Sequence, residues 1–322
     1  VLAGGPDFEA AAAGWVDVAG GRLALPDFLA ECARTLGDPD APIAPQRDQF
    51  IAAGLAGLRR APDGRVWTAL GLQSVPSRFG HLSVELAAAG RELLAGGAAN
   101  FFFMQKPPGL RVRFEAPVAA ARPLAAELWS RVDGWRSAGL VLDAVPGVYE
   151  PEEHLFGGPV SMRYVHGLFT VDSLAWLDCH AGVAGALPAW SFSLYLVRAL
   201  LDGLDIVGWG DLDFWDRLRR QAFRTPPATG GAAYAAAADG IRAAWADSRG
   251  TPAAAVALVE RVRAELTAIA ADWRAGYFTT PEAYVGPREA AAFATVFHWN
   301  RGGLPPLRQG LLAEALADRR AL

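Results

Sequence analysis

A change in the spacing of apolar residues constrains this chain more than any other feature. Between residues 64 and 150 they come in short strand-like runs separated by helical stretches. From Gly158 onward they repeat almost wholly at helical spacing. The strand candidates are Val66-Trp67-Thr68-Ala69-Leu70-Gly71-Leu72, Phe101-Phe102-Phe103-Met104 and Leu110 to Phe114, with Leu140-Val141-Leu142 and Val148-Tyr149-Glu150 as two more around a Pro146-Gly147 turn. His81 to Leu94 and Pro117 to Trp129 are the helices between them, the second with its Pro near the first turn, where a missing N–H is tolerated. The order β-α-β-β-α-β predicts a ferredoxin-like antiparallel sheet with helices on one face. Helices are expected over Gly158–Cys179, Pro188–Leu204, Asp211–Phe223, Ala232–Ala246, Ala253–Trp273 and Pro287–His298. The fold class is therefore α+β, a small sheet followed by a largely helical C-terminal half.

Ahead of the sheet, residues 1–62 read as helices punctuated by Gly and Pro. Pro26-Asp27-Phe28-Leu29 opens one, and Ile51 through Leu58 carries apolar residues at helical spacing. The turn signal Pro62-Asp63-Gly64 divides the chain into an N-terminal extension, 1–63, and a main domain, 64–322. Pro226-Pro227 and Gly230-Gly231 predict a mobile loop in the helical half, and Lys106-Pro107-Pro108-Gly109 a turn between two strands.

Composition narrows the function classes. With 52% hydrophobic and 20% charged residues the chain is globular and not a disordered segment. Its 30 basic and 34 acidic residues leave a net charge of −4, which gives no long-range attraction to nucleic acid. Cys32 and Cys179 lie far apart with no CxxC spacing, so no disulfide framework is expected and a reducing compartment is favoured. No apolar run reaches the ~18 residues of a membrane span. No basic stretch followed by an apolar one marks a secretory signal, so a cytoplasmic location is expected. The motifs of serine hydrolases, P-loop enzymes, zincins and dinucleotide-binding folds are all missing. Asp178-Cys179-His180 is the one metal-like cluster, and three consecutive helical residues cannot converge on one ion, so no metal is expected. The acidic stretch from Asp202 to Asp216 lacks the Gly and Glu positions of a calcium loop and reads as a solvated face.

Arg111 and Arg113 stand apart. In a strand they share one face, with Leu110, Val112 and Phe114 on the other. Two guanidiniums on an interior-looking strand need anions or carbonyls to offset desolvation. Substrate groups or nearby Asp and Glu side chains both meet that need.

Four segments carry a family resemblance. Phe102-Phe103-Met104-Gln105-Lys106-Pro107-Pro108-Gly109-Leu110-Arg111-Val112-Arg113-Phe114 resembles the aromatic strand, turn and Leu-Arg-Leu-Arg strand of the lantibiotic dehydratase C-terminal domain. Tyr149-Glu150-Pro151-Glu152-Glu153-His154-Leu155-Phe156-Gly157-Gly158-Pro159 resembles its Tyr-Glu-x-Glu-x-x-Arg-Tyr-Gly-Gly motif. Phe169-Thr170-Val171-Asp172-Ser173 is similar to its Phe-x-x-Asp-Ser helix ending, and Phe297-His298-Trp299-Asn300-Arg301 to its His-x-x-Asn-Arg segment. In that family the domain eliminates glutamate from glutamylated Ser or Thr, using strand arginines, the Arg before Tyr-Gly-Gly and a C-terminal His. Here that Arg is replaced by Leu155. An apolar side chain cannot hold a departing carboxylate.

The combination resembles the standalone pyridine synthases of thiopeptide biosynthesis. The resemblance implies a leader-bearing, dehydrated, azole-containing precursor peptide as partner. It implies a formal aza-cycloaddition between two dehydroalanines, then loss of water and of the leader, with no metal or redox cofactor. A glutamate-eliminating lyase of a split dehydratase and a non-catalytic leader-binding scaffold are the alternatives. The candidate catalytic residues are His298, Tyr149 and Ser161. Each has a structural reading beside it: a helix-end His, a packed Tyr and a helix-capping Ser. Arg111, Arg113, Asn300 and Arg301, with Ser191, Ser193 and Tyr195 on one helix, are the candidate substrate-binding residues. His166 shares a stripe with Met162, Phe169 and Ser173 and reads as partly buried structure. The N-terminal extension and Trp67 are placed as contacts for leader or azoles.

Overall fold

Period-two burial orients the sheet. Along the strand Gly109–Pro117, Leu110, Val112, Phe114 and Ala116 are buried, while Arg111 is exposed and Arg113 half-buried, as the alternation predicts. The computed structural model describes residues 15–18, 21–24, 64–106, 109–220 and 231–318, which fall in two compact units, Val1–Arg65 and Val66–Leu322.

In the first unit β1 (Trp15–Val18) pairs antiparallel with β2 (Gly21–Ala24), Trp15 opposite Ala24. This hairpin corrects the all-helical reading of residues 1–62. Val16 and Val18 are β-branched and alternate, a signal four residues long and easily hidden among Ala and Gly. The helices expected at Pro26 and over Ile51–Leu58 lie outside the described residues.

The second unit opens with β3 (Arg65–Ser74), α1 (Phe79–Ala95), β4 (Asn100–Lys106), β5 (Gly109–Pro117), α2 (Val118–Ser137) and β6 (Val141–Gly147). The four strands form one antiparallel sheet in the order β4-β5-β3-β6, the ferredoxin-like arrangement. One expectation fails locally. Instead of two strands around a Pro146-Gly147 turn, β6 runs through Pro146, which lies opposite Leu70. Because β6 is an edge strand, Pro146 is tolerated there despite its missing N–H. Tyr149 consequently stands beyond the strand end and not within a strand. Where β5 begins, a Cβ on Gly109 would sit 2.0 Å from the Leu72 carbonyl oxygen, so only glycine fits.

The rest is helical: α3 (Glu153–Phe156), α4 (Pro159–His180), α5 (Ala189–Gly203), α6 (Trp209–Arg220), α7 (Ala232–Ala246), α8 (Val256–Trp273), α9 (Pro287–Arg301) and α10 (Pro306–Ala317). The expected loop around Pro226-Pro227 lies outside the described residues, and α3 and α10 were not among the expected helices. The long helix α4 seals the outer edge of β4. The Phe101 N–H donates to Thr170 Oγ1 at 3.0 Å and the Phe103 N–H to Ser173 Oγ at 3.2 Å. Unpaired edge amides are thereby satisfied by two hydroxyls one helical turn apart. Phe101, Phe102 and Phe103 are all buried because β4 is covered on both faces: Phe101 packs on Phe114, and Phe102 on Phe169 of α4. Among the described residues no helix is long and apolar enough to cross a membrane.

Candidate active site

Asp172 is a buried carboxylate on a helix that also buries Leu168, Phe169 and Trp176 around it. Such a charge needs partners, and α9 supplies two. His298 and Arg301 lie three residues apart and so on one face. His298 Nδ1 stands 2.6 Å from one Asp172 oxygen, and Arg301 Nε donates to the other, also at 2.6 Å. Burial pushes the Asp172 carboxyl up, but His298 and Arg301 outweigh it and leave the group below its ordinary range, ionised. An ionised carboxylate fixes the tautomer: Nδ1 carries the proton and donates to Asp172. Nδ1 therefore cannot also accept from Trp176 Nε1, which lies 2.9 Å away, because the charge-assisted contact is the stronger. His298 Nε2 is then an acceptor for Ser193 Oγ at 2.8 Å, and Ser193 Oγ accepts in turn from Trp299 Nε1 at 3.0 Å. Ser193, His298 and Asp172 are in the order of a hydrolase relay, yet Ser193 is sealed in the core and held by two partners. No substrate carbonyl reaches it. A cavity of about 20 Å³ beside Asp172, His298, Arg301 and Thr295 has room for one water.

A second polar group stands on the sheet face toward α4. Cross-strand register sets Phe102 opposite Arg113 and Met104 opposite Arg111, so these four share that face. The Arg113 guanidinium lies 5.0 Å from the Phe102 ring centre and 4.7 Å from that of Tyr149. Its Nε is buried without a hydrogen-bond partner, and among the described residues Arg113 makes no ion pair. Burial lowers its pKa. The Tyr149 hydroxyl is 2.9 Å from His166 Nε2, and Trp67 packs against both rings. Burial raises the Tyr149 pKa well above the ordinary phenol and lowers that of His166 to about 4. Near neutral pH both are uncharged, so Tyr149 donates and His166 accepts. Arg301 links the two groups. Its guanidinium lies 4.3 Å over Phe169, its Nη1 is 3.4 Å from Met104 Sδ, and its charge acts on both Tyr149 and Arg113. Beyond Arg113 the sheet opens into a cleft of about 260 Å³ floored by Gly71, Gln73, Val145 and Gly147 and flanked by Arg111 and Lys106.

The structure distributes the sequence candidates unevenly. It brings Tyr149, Arg113 and Arg301 into one electrostatic neighbourhood, with Arg111 on the same face and His298 behind Asp172. Ser161 is buried and accepts from Trp273 Nε1 at 2.7 Å, and Asn300 accepts from Gln309. Ser191, Ser193 and Tyr195 do not form one group. On α5 a two-residue step turns about 200°, so Ser193 faces His298 while Tyr195 lies near Asp247 and Arg263. His166 and Asp172 were absent from the candidate set. For His166 the signal is a polar residue at core spacing on a mostly apolar helix, which its stripe with Met162, Phe169 and Ser173 assigns to structure; for Asp172 it is the Phe-x-x-Asp-Ser segment, which carries the resemblance but names no role.

Residues 67–322 match the family model for the lantibiotic biosynthesis dehydratase C-terminal domain. The chain belongs to that family. The lantibiotic dehydratase C-terminal fold also occurs in a solved structure, the tRNA dependent lantibiotic dehydratase MibB from Microbispora sp. 107891. That match has a TM-score of 0.53 and 18% identity, and covers 78% of this chain and 27% of MibB. The chain thus corresponds to about a quarter of that dehydratase's length. No curated protein matches it. Within this dehydratase C-terminal family the glycine pair of the Gly-Gly motif has a local cause here. Gly157 and Gly158 have φ of 94° and 88°, and a Cβ on Gly157 would lie 1.9 Å from Tyr277 Oη.

Proposed function

We propose that the chain is a pyridine synthase acting on a leader-bearing, dehydrated, azole-containing peptide. It joins two dehydroalanines by a formal aza-cycloaddition, after which water and the leader leave. The observation that carries this reading is Leu155. It lies in α3 at the motif position of the family's arginine, and it packs against the hydrophobic core instead of offering a charge. A leaving carboxylate has lost that grip. What the site keeps is a proton-handling tyrosine, donors for peptide carbonyls and an open sheet face that can hold an extended chain.

The reaction asks for little more. Holding two alkenes in contact can supply up to ~7–11 kcal/mol of the barrier. Arg113 and Arg111 hold carbonyls, Arg301 supplies positive charge behind them, and Asp172 with His298 fixes Arg301 in place. Tyr149 meets the amide whose tautomer becomes the azadiene. In this division of labour His298 acts from behind and Ser161 serves the fold.

Arg113 favours a second reading, glutamate elimination, since an unpaired half-buried guanidinium also suits a carboxylate. Mass spectrometry separates the two. Incubation with a dehydrated, azole-bearing precursor should give a macrocycle and a leader ending in a carboxamide. Free glutamate from a glutamylated precursor would overturn the proposal. Peptide binding with neither product would point to a scaffold.

A further inference from the structure

We infer that the proton-transfer unit of this site is the Tyr149–His166 pair, with His166 as the positioning and proton-accepting residue behind Tyr149. The inference rests on the pyridine-synthase reading and deepens it. Three observations carry it. First, access: His298 is 6% exposed and both its ring nitrogens are engaged, Nδ1 by Asp172 and Nε2 by Ser193. To exchange a proton with a substrate it would have to break a buried network. Tyr149 is only partly buried and stands beside the unpaired Arg113 guanidinium, where a peptide carbonyl would dock. Second, geometry: the Tyr149 hydroxyl and His166 Nε2 are at ordinary hydrogen-bond distance, 2.9 Å, with His166 wedged among Trp67, Phe102 and Tyr149 so that the ring cannot turn away freely. Third, the resting hydrogen-bond roles agree, since near neutral pH Tyr149 keeps its proton and the neutral His166 accepts from it at Nε2; the burial that disfavours both charged forms makes the imidazolium a short-lived state that exists only while the anionic azadiene stands beside Arg113.

The proton balance closes on the pair. The amide N–H of the first dehydroalanine gives its proton to the Tyr149 oxygen as the Tyr149 proton passes to His166 Nε2, leaving an imidazolium and an anionic azadiene. Two carbon–carbon bonds form to the second alkene, and the negative charge collects on the former carbonyl oxygen. The proton returns from His166 through Tyr149 to that oxygen, and the resulting hydroxyl is the one later lost as water. One proton moves from nitrogen to oxygen, and no oxidant or reductant takes part. Arg113 offsets the charge on the oxygen while it lasts.

The test uses the full chain and a synthetic bis-dehydroalanine precursor. His166→Gln keeps an acceptor near the Nε2 position but cannot hold the proton. It should lower kcat by ~100-fold or more, the usual range for a lost general base, while KM stays within about twofold. Tyr149→Phe should do the same, and the double variant should be no slower than the worse single one. His166→Ala should regain activity with added imidazole, which a purely structural His would not do. If wild type forms the macrocycle and His166→Gln turns over within about threefold of it, the pair is not the relay and this inference falls alone. If wild type forms no macrocycle, the proposed function fails and takes the inference with it.

Discussion

At the scale of single residues, the two histidines of the site are held by opposite means. His298 sits against a carboxylate, whereas His166 has only a phenol and aromatic rings, and burial lowers its pKa to about 4. The sign of its pH effect follows. The unfolded His166 titrates near 6.5, so between pH 6.5 and 4 the unfolded state binds the extra proton and stability falls as the solution is acidified. A shift of this size corresponds to about 3 kcal/mol, fully present above pH 6.5 and lost toward pH 4. His180, also lowered by burial, titrates the same way, so the informative quantity is a difference. Denaturant melts of wild type and His166→Gln should diverge at pH 7 and converge near pH 4; parallel curves would show that His166 is not buried neutral. Asp172 works in the other direction of partnership. Asp172→Ala leaves Arg301, 1% exposed, and His298 without their shared anion, and should cost about 3–5 kcal/mol in a chemical melt. A cost under about 1 kcal/mol would mean that the ion network is not closed.

At the scale of elements, what the sequence made legible is what depends on local periodicity. The β-α-β-β-α-β order, the two faces of β5 and most of the helices after residue 158 follow from spacing alone, because each is set by which side of one element is buried. The β1–β2 hairpin escaped because eight residues give too few repeats to beat an Ala- and Gly-rich background. The split of Ser191, Ser193 and Tyr195 was available from helical geometry. The pairing of Tyr149 with His166, 17 residues apart, and of Asp172 with α9, 126 and 129 residues apart, was not, since both depend on how α4 crosses β4 and α9 in the folded chain. That crossing is itself testable. Ser173 accepts the Phe103 N–H at a position buried on all sides, so Ser173→Ala strands an edge amide and should cost about 1–3 kcal/mol. Faster hydrogen exchange at Phe103, with the β5 amides unchanged, would locate the loss at the seam. Unchanged exchange there would mean that another group satisfies the strand.

At the scale of the whole molecule, the residues of the proposed site come from elements that meet only when sheet and helices fold together. Arg113 comes from β5, Tyr149 from the segment after β6, His166 and Asp172 from α4, and His298 and Arg301 from α9. All lie within the unit Val66–Leu322, which also spans the family match over residues 67–322. A chain starting at Gly64 therefore keeps every side chain of the site and its own core. The sequence places the N-terminal extension as a leader contact, so leader binding and turnover should separate. Without residues 1–63 the protein should bind the full precursor more weakly, by tenfold or more in a titration with labelled peptide. Its conversion of saturating substrate should fall much less, because leader contacts that are equal in ground and transition states enter KM and leave kcat. Equal loss of both would place part of the catalytic geometry in the extension. Unchanged affinity would move the leader contact onto the Val66–Leu322 unit, with the open face beyond Arg111 as the first place to look.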